Sequence, residues 1–185
     1  MLNGISILFS CNDSEGELTP DEVDITIQDI DGNTYGTIEI GPQIWMKENL
    51  KVTHYNHGDP IPEIIDNSEW VNQTIGARCD NDKDYVEVYG RLYNFYVVAD
   101  LRNVCPKGWH VPSDSEWTEL TNYLGDVFIA GGKLKEEETT HWNPPNSDAT
   151  NSSGFSALPS SYRDYGPFAG TAGLKSGFSI RCIID

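Results

Sequence analysis

Basic residues are scarce in this chain. Twelve Lys and Arg stand against 29 Asp and Glu, a formal net charge of −17. Nucleic-acid binding rests on cations that neutralise phosphates, so a chain this acidic is expected to take no nucleic acid as a partner. The same charge argues against electrostatic docking on anionic lipid. Apolar residues make up 38% of the chain, and no run approaches the ~18 residues that a membrane-spanning helix needs. His54 and His57 stand three apart without the further Cys or His that a zinc site requires. No Ser-His-Asp arrangement can be picked out, and the nucleophile-elbow pattern G-x-S-x-G is absent. Gly131-Gly132-Lys133 lacks the rest of a phosphate-binding loop. No internal repeat and no second domain boundary are visible.

Glycine, proline and aromatics are present in number. Seventeen Gly and ten Pro accompany five Trp and nine Tyr, a composition that points to a loop-rich fold around an aromatic core rather than a helical bundle. At 185 residues one domain is expected, burying roughly 70% of the unfolded surface.

The first residues read as an address. Ile5-Ser6-Ile7-Leu8-Phe9 is apolar but short, and no Lys or Arg precedes it. It has the look of the tail of a secretory signal whose start lies upstream. Leu8-Phe9-Ser10-Cys11 resembles a lipobox, the bacterial motif in which the Cys carries lipid; the alternative is a buried strand with an incidental Cys11. Residues 12–22 are acidic, with Gly and Pro, and read as a solvated linker. An acidic stretch after a lipidated Cys also resembles the surface-export signals of Bacteroidetes lipoproteins. Residues 1–22 are therefore assigned to address and linker, and 23–185 to the folded domain. Membrane association is expected only through a lipid anchor at Cys11.

The periodicities predict mixed structure. Val23, Ile25 and Ile27 alternate with polar residues as in a half-buried strand, and Asp31-Gly32 signals a hairpin turn. Residues 34–40 read as the returning strand and 43–46 as a third, burying Trp45. Residues 53–83 read as a long irregular excursion, which is usually functional or carries short elements of its own. Leu92, Phe95, Tyr96 and Ala99 recur at helical spacing, predicting an amphipathic helix over 91–101. Ser113 and Glu116 make a capping box for a second helix with Trp117, Leu120 and Leu124 as its apolar stripe and Gly125 as its stop. Residues 130–135 suggest a short third helix and 154–158 a short strand. Residues 177–184 read as one closing strand, with Phe178, Ile180, Cys182 and Ile184 on one face. The sum is an α+β fold.

Several blocks carry a resemblance. They are Asp29-Ile30-Asp31-Gly32-Asn33, Gln43-Ile44-Trp45-Met46-Lys47-Glu48-Asn49-Leu50 and Tyr89-Gly90-Arg91-Leu92-Tyr93-Asn94. Then come Cys105-Pro106-Lys107-Gly108-Trp109-His110-Val111-Pro112-Ser113, Gly131-Gly132-Lys133-Leu134, His141-Trp142-Asn143 with Ala149-Thr150-Asn151, and Gly177-Phe178-Ser179-Ile180-Arg181-Cys182. In this order they resemble the Fibrobacter succinogenes major paralogous domain family, found on exported proteins of Bacteroidetes and relatives, from about Asp29 to Asp185. The resemblance implies a C-type-lectin-like fold, a small antiparallel sheet with two helices and long loops. Residues 109–117 are also similar to a motif of formylglycine-generating enzymes. One departure stands out: family members carry a further block where only residues 164–176 separate Arg163 from Gly177, so a strand pair and a loop are expected to be missing.

In that fold Cys105 and Cys182 would lie on neighbouring strands, and the resemblance thereby implies a disulfide between them. Such a bond suits an exported protein. Cys79 is then either a free thiol or a small buried hydrophobe; its acidic neighbours Asp80, Asp82 and Asp84 suppress the thiolate. The copper-bound Cys pair of formylglycine-generating enzymes has no counterpart. His110 is expected to be structural and hydrogen-bonded. Asp80, Asp82, Asp84 and Glu87 offer the hard oxygens calcium prefers, and the alternative is a solvated acidic loop. Asp29, Asp31 and Asn33 mimic the start of an EF-hand loop, but Ile40 stands where its Glu should be, so a hairpin turn is expected. Asn146, Asp148 and Asn151 form a weaker oxygen cluster. Trp70 and Trp142, with His141 and Asn143, fall in predicted loops; each Trp either stacks on a sugar or anchors its loop to the core.

These readings add up to a non-catalytic, surface-exposed binding module that recognises glycan or a surface protein through long loops. The alternatives are a structural part of a surface assembly, or an enzyme on a formylglycine-generating-enzyme-like scaffold.

Overall fold

The computed structural model describes residues 26–80, 85–160, 162–163 and 176–185. Strand β1 (Thr26–Gln28) pairs antiparallel with β2 (Thr34–Ile40), which pairs with β3 (Gln43–Met46). The turn between β1 and β2 is organised by one carboxylate. Asp29 Oδ1 accepts from the backbone of Asp31 and Asn33, and Oδ2 accepts from Asn33 Nδ2 and, at 2.7 Å, from the buried Tyr35 hydroxyl. The EF-hand-like spacing is thus a hairpin turn, as expected. Asp31 reaches outward instead and binds Thr53 and His54, which pins the start of the long excursion to the hairpin. Burial pushes the Asp31 carboxyl up, but the bonds from Thr53 and His54 outweigh it and hold the group below its usual range.

The excursion carries helix α1 (Asn67–Val71) and strand β4 (Arg78–Cys79). Asp66 caps α1 by accepting from Glu69 N. Next come α2 (Val86–Tyr89), β5 (Leu92–Asn94) and α3 (Phe95–Val98). The predicted helix over 91–101 is therefore corrected to a strand followed by one helical turn. Asn94 explains the break. It is buried, its Oδ1 accepts from Ala77 N and Val97 N, and its Nδ2 donates to Ile75 O. One side chain thus ends β5 and caps α3. Gly90 turns the chain into β5 at a φ of 71°, where a Cβ would meet Leu50 O at 2.8 Å.

Strand β6 (Trp109–His110) leads to α4 (Asp114–Tyr123) and α5 (Val127–Leu134). The capping box of α4 is present, with Glu116 Oε2 accepting from Ser113 N at 2.7 Å. Leu120 and Leu124 are buried as the stripe requires, whereas Trp117 stays 37% exposed. Helix α5 starts earlier than expected because Asp126 caps it, accepting from Phe128 N and Ile129 N. Residues 154–158 form no strand beyond a single bridge from Ala157 to Lys135.

The closing strand is corrected to two short ones, β7 (Gly177–Phe178) and β8 (Ile183–Ile184), in different sheets. One sheet has the order β1-β2-β3-β8-β6 and the other β4-β5-β7, all paired antiparallel. Between β7 and β8 the chain is buried almost continuously from Ile180 to Ile183, which strict alternation does not allow. The fold is α+β. The main core joins both sheets through Tyr35, Met46, Leu50, Tyr93 and Trp109, and the Cys105–Cys182 disulfide lies inside it. Its Cα atoms are 6.0 Å apart, within the ordinary span. A second core packs α4 and α5 on Trp45, Phe155 and Ile183. Among the described residues no helix is long and apolar enough to cross a membrane.

Candidate functional site

The expected site residues are scattered, and most are engaged in the fold. Trp70, expected in a loop, sits in α1 at 1% exposure in a small core with Ala77, Cys79 and Leu92. Of its two readings, the anchor is the one realised, and stacking on a sugar is corrected. Trp142 is half-buried, with its indole N–H donating to Ala157 O at 3.0 Å and Lys135 above its ring. His141 Nδ1 lies 2.9 Å from Glu136, and its ring meets Tyr89 edge to face. Asn143 is exposed. Trp70 therefore offers no open face, whereas Trp142 remains part-exposed.

Of the four residues expected to hold calcium, two are described, and each has a protein cation as its partner. Asp80 is held by Arg91 and, at 3.5 Å, by Arg78. Glu87 pairs with Lys51 at 2.9 Å. Both carboxylates have protein cations as partners, and Asp82 and Asp84 lie outside the described residues. Among the described residues no group of three or more His, Cys, Asp or Glu is placed to hold a metal ion. Asn146 in the weaker cluster spends its Nδ2 on Glu136 O and Glu138 O. Cys79 is a buried free thiol whose pKa burial raises, against the lowering effect of Arg163. That suppresses the thiolate and leaves it a small hydrophobe. The expected lipidation at Cys11 and the shortened block over 164–175 also lie outside the described residues.

The structure instead gathers a groove that the sequence did not announce. Two adjoining clefts, of about 170 and 300 Å³, share Trp117, Ser179 and Arg181. The first is apolar and runs beneath α3 and the start of α4, past Phe95, Val98, Pro112 and Phe178. The second is polar, ending at Asn49 and Ser160. Trp117 forms the wall between them. It packs on Trp45 at 4.6 Å and on Phe155 at 6.1 Å, so its plane is held while 37% of it stays exposed. At the apolar end Phe178 is 52% exposed and stacks with Tyr162 at 6.2 Å.

Arg181 anchors the polar end. It is 7% exposed and donates from Nε to Asn49 Oδ1 at 2.9 Å, from Nη2 to Ser156 O at 3.1 Å, and from Nη1 to Phe155 O. Asn49 donates in turn to Tyr89 O and to Ser160 Oγ. The groove floor is thus a hydrogen-bonded lattice in which four distant segments meet. Trp142 contributes from behind by holding Ala157, a lining residue.

Sequence reasoning placed Trp117 wholly in the core because it shares the stripe of Leu120 and Leu124. The groove's polar residues gave no signal, because Ser179 and Arg181 lay on what read as a strand face.

Residues 38–172 match the family model of the Fibrobacter succinogenes major domain. The match is narrower at both ends than the resemblance in the motifs. No curated protein matches the chain, and no solved structure matches it.

Proposed function

We propose that this chain, which belongs to the Fibrobacter succinogenes major domain family, is a non-catalytic binding module of an exported protein, and that it takes a saccharide in the groove beside α4. The carrying observation is Trp117, part-exposed at 37% between an apolar and a polar cleft, with its indole N–H unbonded among the described residues. A flat ring held from behind and polar at its rim suits the two-sided chemistry of a sugar, apolar across its C–H face and hydroxylated around its edge. Ser160 and Ser179 supply hydroxyl groups for that edge, with Ser160 held in place by Asn49. The clefts are of small-ligand size, whereas a stable protein interface covers about 800 Å² on each partner. The Cys105–Cys182 disulfide supports an oxidising, extracytoplasmic compartment. Anchoring through Cys11 is part of the same proposal.

The test is a glycan array followed by calorimetry with wild type and Trp117→Leu, which keeps an apolar side chain but removes the flat ring and its N–H. We expect saccharide binding, weakened at least about tenfold by the substitution, in line with the ~1.4 kcal/mol that a tenfold change represents. Retention of full affinity by Trp117→Leu would place the ligand elsewhere.

A second reading, a protein partner in a surface assembly, is favoured by one feature. Val127, Phe128 and Ile129 at the start of α5 and Tyr123 at the end of α4 are all exposed, Phe128 at 92%. Apolar surface concentrated at one corner marks an interaction site more often than scattered residues do.

A further inference from the structure

The groove keeps acid out. The chain carries 29 Asp and Glu, yet among the described residues none lines either cleft, and the charged residue there is Arg181. On so acidic a molecule a carboxylate-free groove is the place where an anion meets least repulsion.

Among the described residues no carboxylate contacts the cation in it. Among the described residues Arg181 makes no salt bridge, and its bonds go to three neutral oxygens, of Asn49, Phe155 and Ser156. Burial pushes the guanidinium down to about 10, with only Glu48 acting against that shift. A buried charge without a counter-charge is costly, and an ion that completes the pair recovers part of that cost. Arginine has five N–H donors. Three are taken, which leaves one on each terminal nitrogen, enough for a two-point contact with a carboxylate.

The remaining polar groups point the same way. The Trp117 indole N–H and the Ser179 hydroxyl have no hydrogen-bond partner among the described residues. Both can donate, and an indole N–H can do nothing else.

We propose that the groove selects an acidic saccharide, with a uronate carboxylate against Arg181 and the sugar ring against Trp117. This rests on the saccharide reading above and specifies the ligand class. The charge of Arg181 sets the preference, the donors of Trp117 and Ser179 hold ring oxygens, and the apolar cleft toward Phe178 receives the neighbouring residue of the chain.

The experiment uses the full chain, ¹⁵N-labelled, titrated with oligosaccharides of galacturonate, glucuronate and mannuronate, each beside its carboxyl-reduced neutral counterpart. The indole resonance of Trp117, assigned with Trp117→Phe, reports occupancy of the groove. At least one uronate should bind tenfold or more tighter than its reduced form, shift that resonance and weaken with added salt. Ser179→Asp, which sets a carboxylate beside Arg181 at a half-exposed position, should cost a further tenfold without lowering Tm, because it pairs the buried cation. Arg181→Lys is a second variant, and the wild-type comparison stands even where that variant fails to fold. Equal affinity for acid and reduced forms, with the Trp117 signal shifting in both, overturns the acid selectivity and leaves the saccharide reading standing. A groove that binds no saccharide, or binds a peptide carboxyl terminus in their place, overturns both.

Discussion

Asn49 sits where several distant segments meet. Its amide donates to Tyr89 O and Ser160 Oγ and accepts from Arg181 Nε. Asn94 and Asp29 play the same part in their own neighbourhoods, each spending every side-chain oxygen on backbone or buried partners. Buried polar groups stay in a fold when they are satisfied, and satisfied networks specify one arrangement of the chain. The motif residues that carry the family resemblance are thus largely these hubs. His110 is another, bridging Asp185 and Glu116 at 2.8 Å each. Burial lowers its pKa, but the two carboxylate bonds outweigh burial and raise the group above its usual value. A raised folded pKa adds stability that is complete below the unfolded value of about 6.5 and fades as pH rises through the folded one. Glu116 runs the other way: burial raises it, the bonds from Ser113 and His110 prevail, and its contribution fades only in acid. His110→Gln should therefore destabilise more at about pH 5.5 than at about pH 8.5. Thermal melts of both proteins across that range check this, and an equal gap at the two ends would remove His110 from the account.

At the scale of elements, helix α4 is the one that local chemistry determines most fully. Ser113 and Glu116 bond reciprocally, and Gly125 leaves the helix at a φ of 123°. Ser113→Ala should cost about 1 kcal/mol, read as a lower midpoint in denaturant with an unchanged slope. The same helix presents Trp117 to the groove, so fraying of its first turn should weaken ligand binding as well. Elements without such signals were misread. Leu92, Phe95, Tyr96 and Ala99 have helical spacing, yet Leu92 and Tyr93 are buried in a strand between β4 and β7. Pairing partners more than ten residues away overrode the local period. The closing segment alternates in sequence, but it crosses from one sheet to the other, and the crossing buries Arg181 beside Ile180 and Cys182.

Across the whole molecule, the two sheets are joined by that crossing, and the disulfide next to it ties the segments that lead into β6 and β8. Cys105 and Cys182 are separated by 77 residues, and closing a loop of that size stabilises by roughly 4 kcal/mol in the chain-entropy description. The Cys105→Ala/Cys182→Ala protein should lose stability of that order, measured by denaturant unfolding, and wild type under reducing conditions should approach it. Loss of less than about 1 kcal/mol would show that the core alone holds the last strand.

The hairpin, β3, α4 and the α+β class were legible because short-range periodicity, turn residues and caps act over a few neighbouring positions. So was the pairing of Cys105 with Cys182, through family motifs rather than spacing. The groove was not legible. Its residues come from α3, α4, the 155–160 segment and the stretch between β7 and β8, and nothing local marks them as neighbours. Whether a Trp is core or surface depends on how much of it the facing elements cover. Packing covered Trp70 entirely and left Trp117 in part to solvent. Composition alone determined that this molecule is acidic. Tertiary structure decided that the groove beside α4 has no acid among its described lining residues, because charge adds over the whole chain while exclusion of charge from a cleft depends on which side chains the fold turns inward.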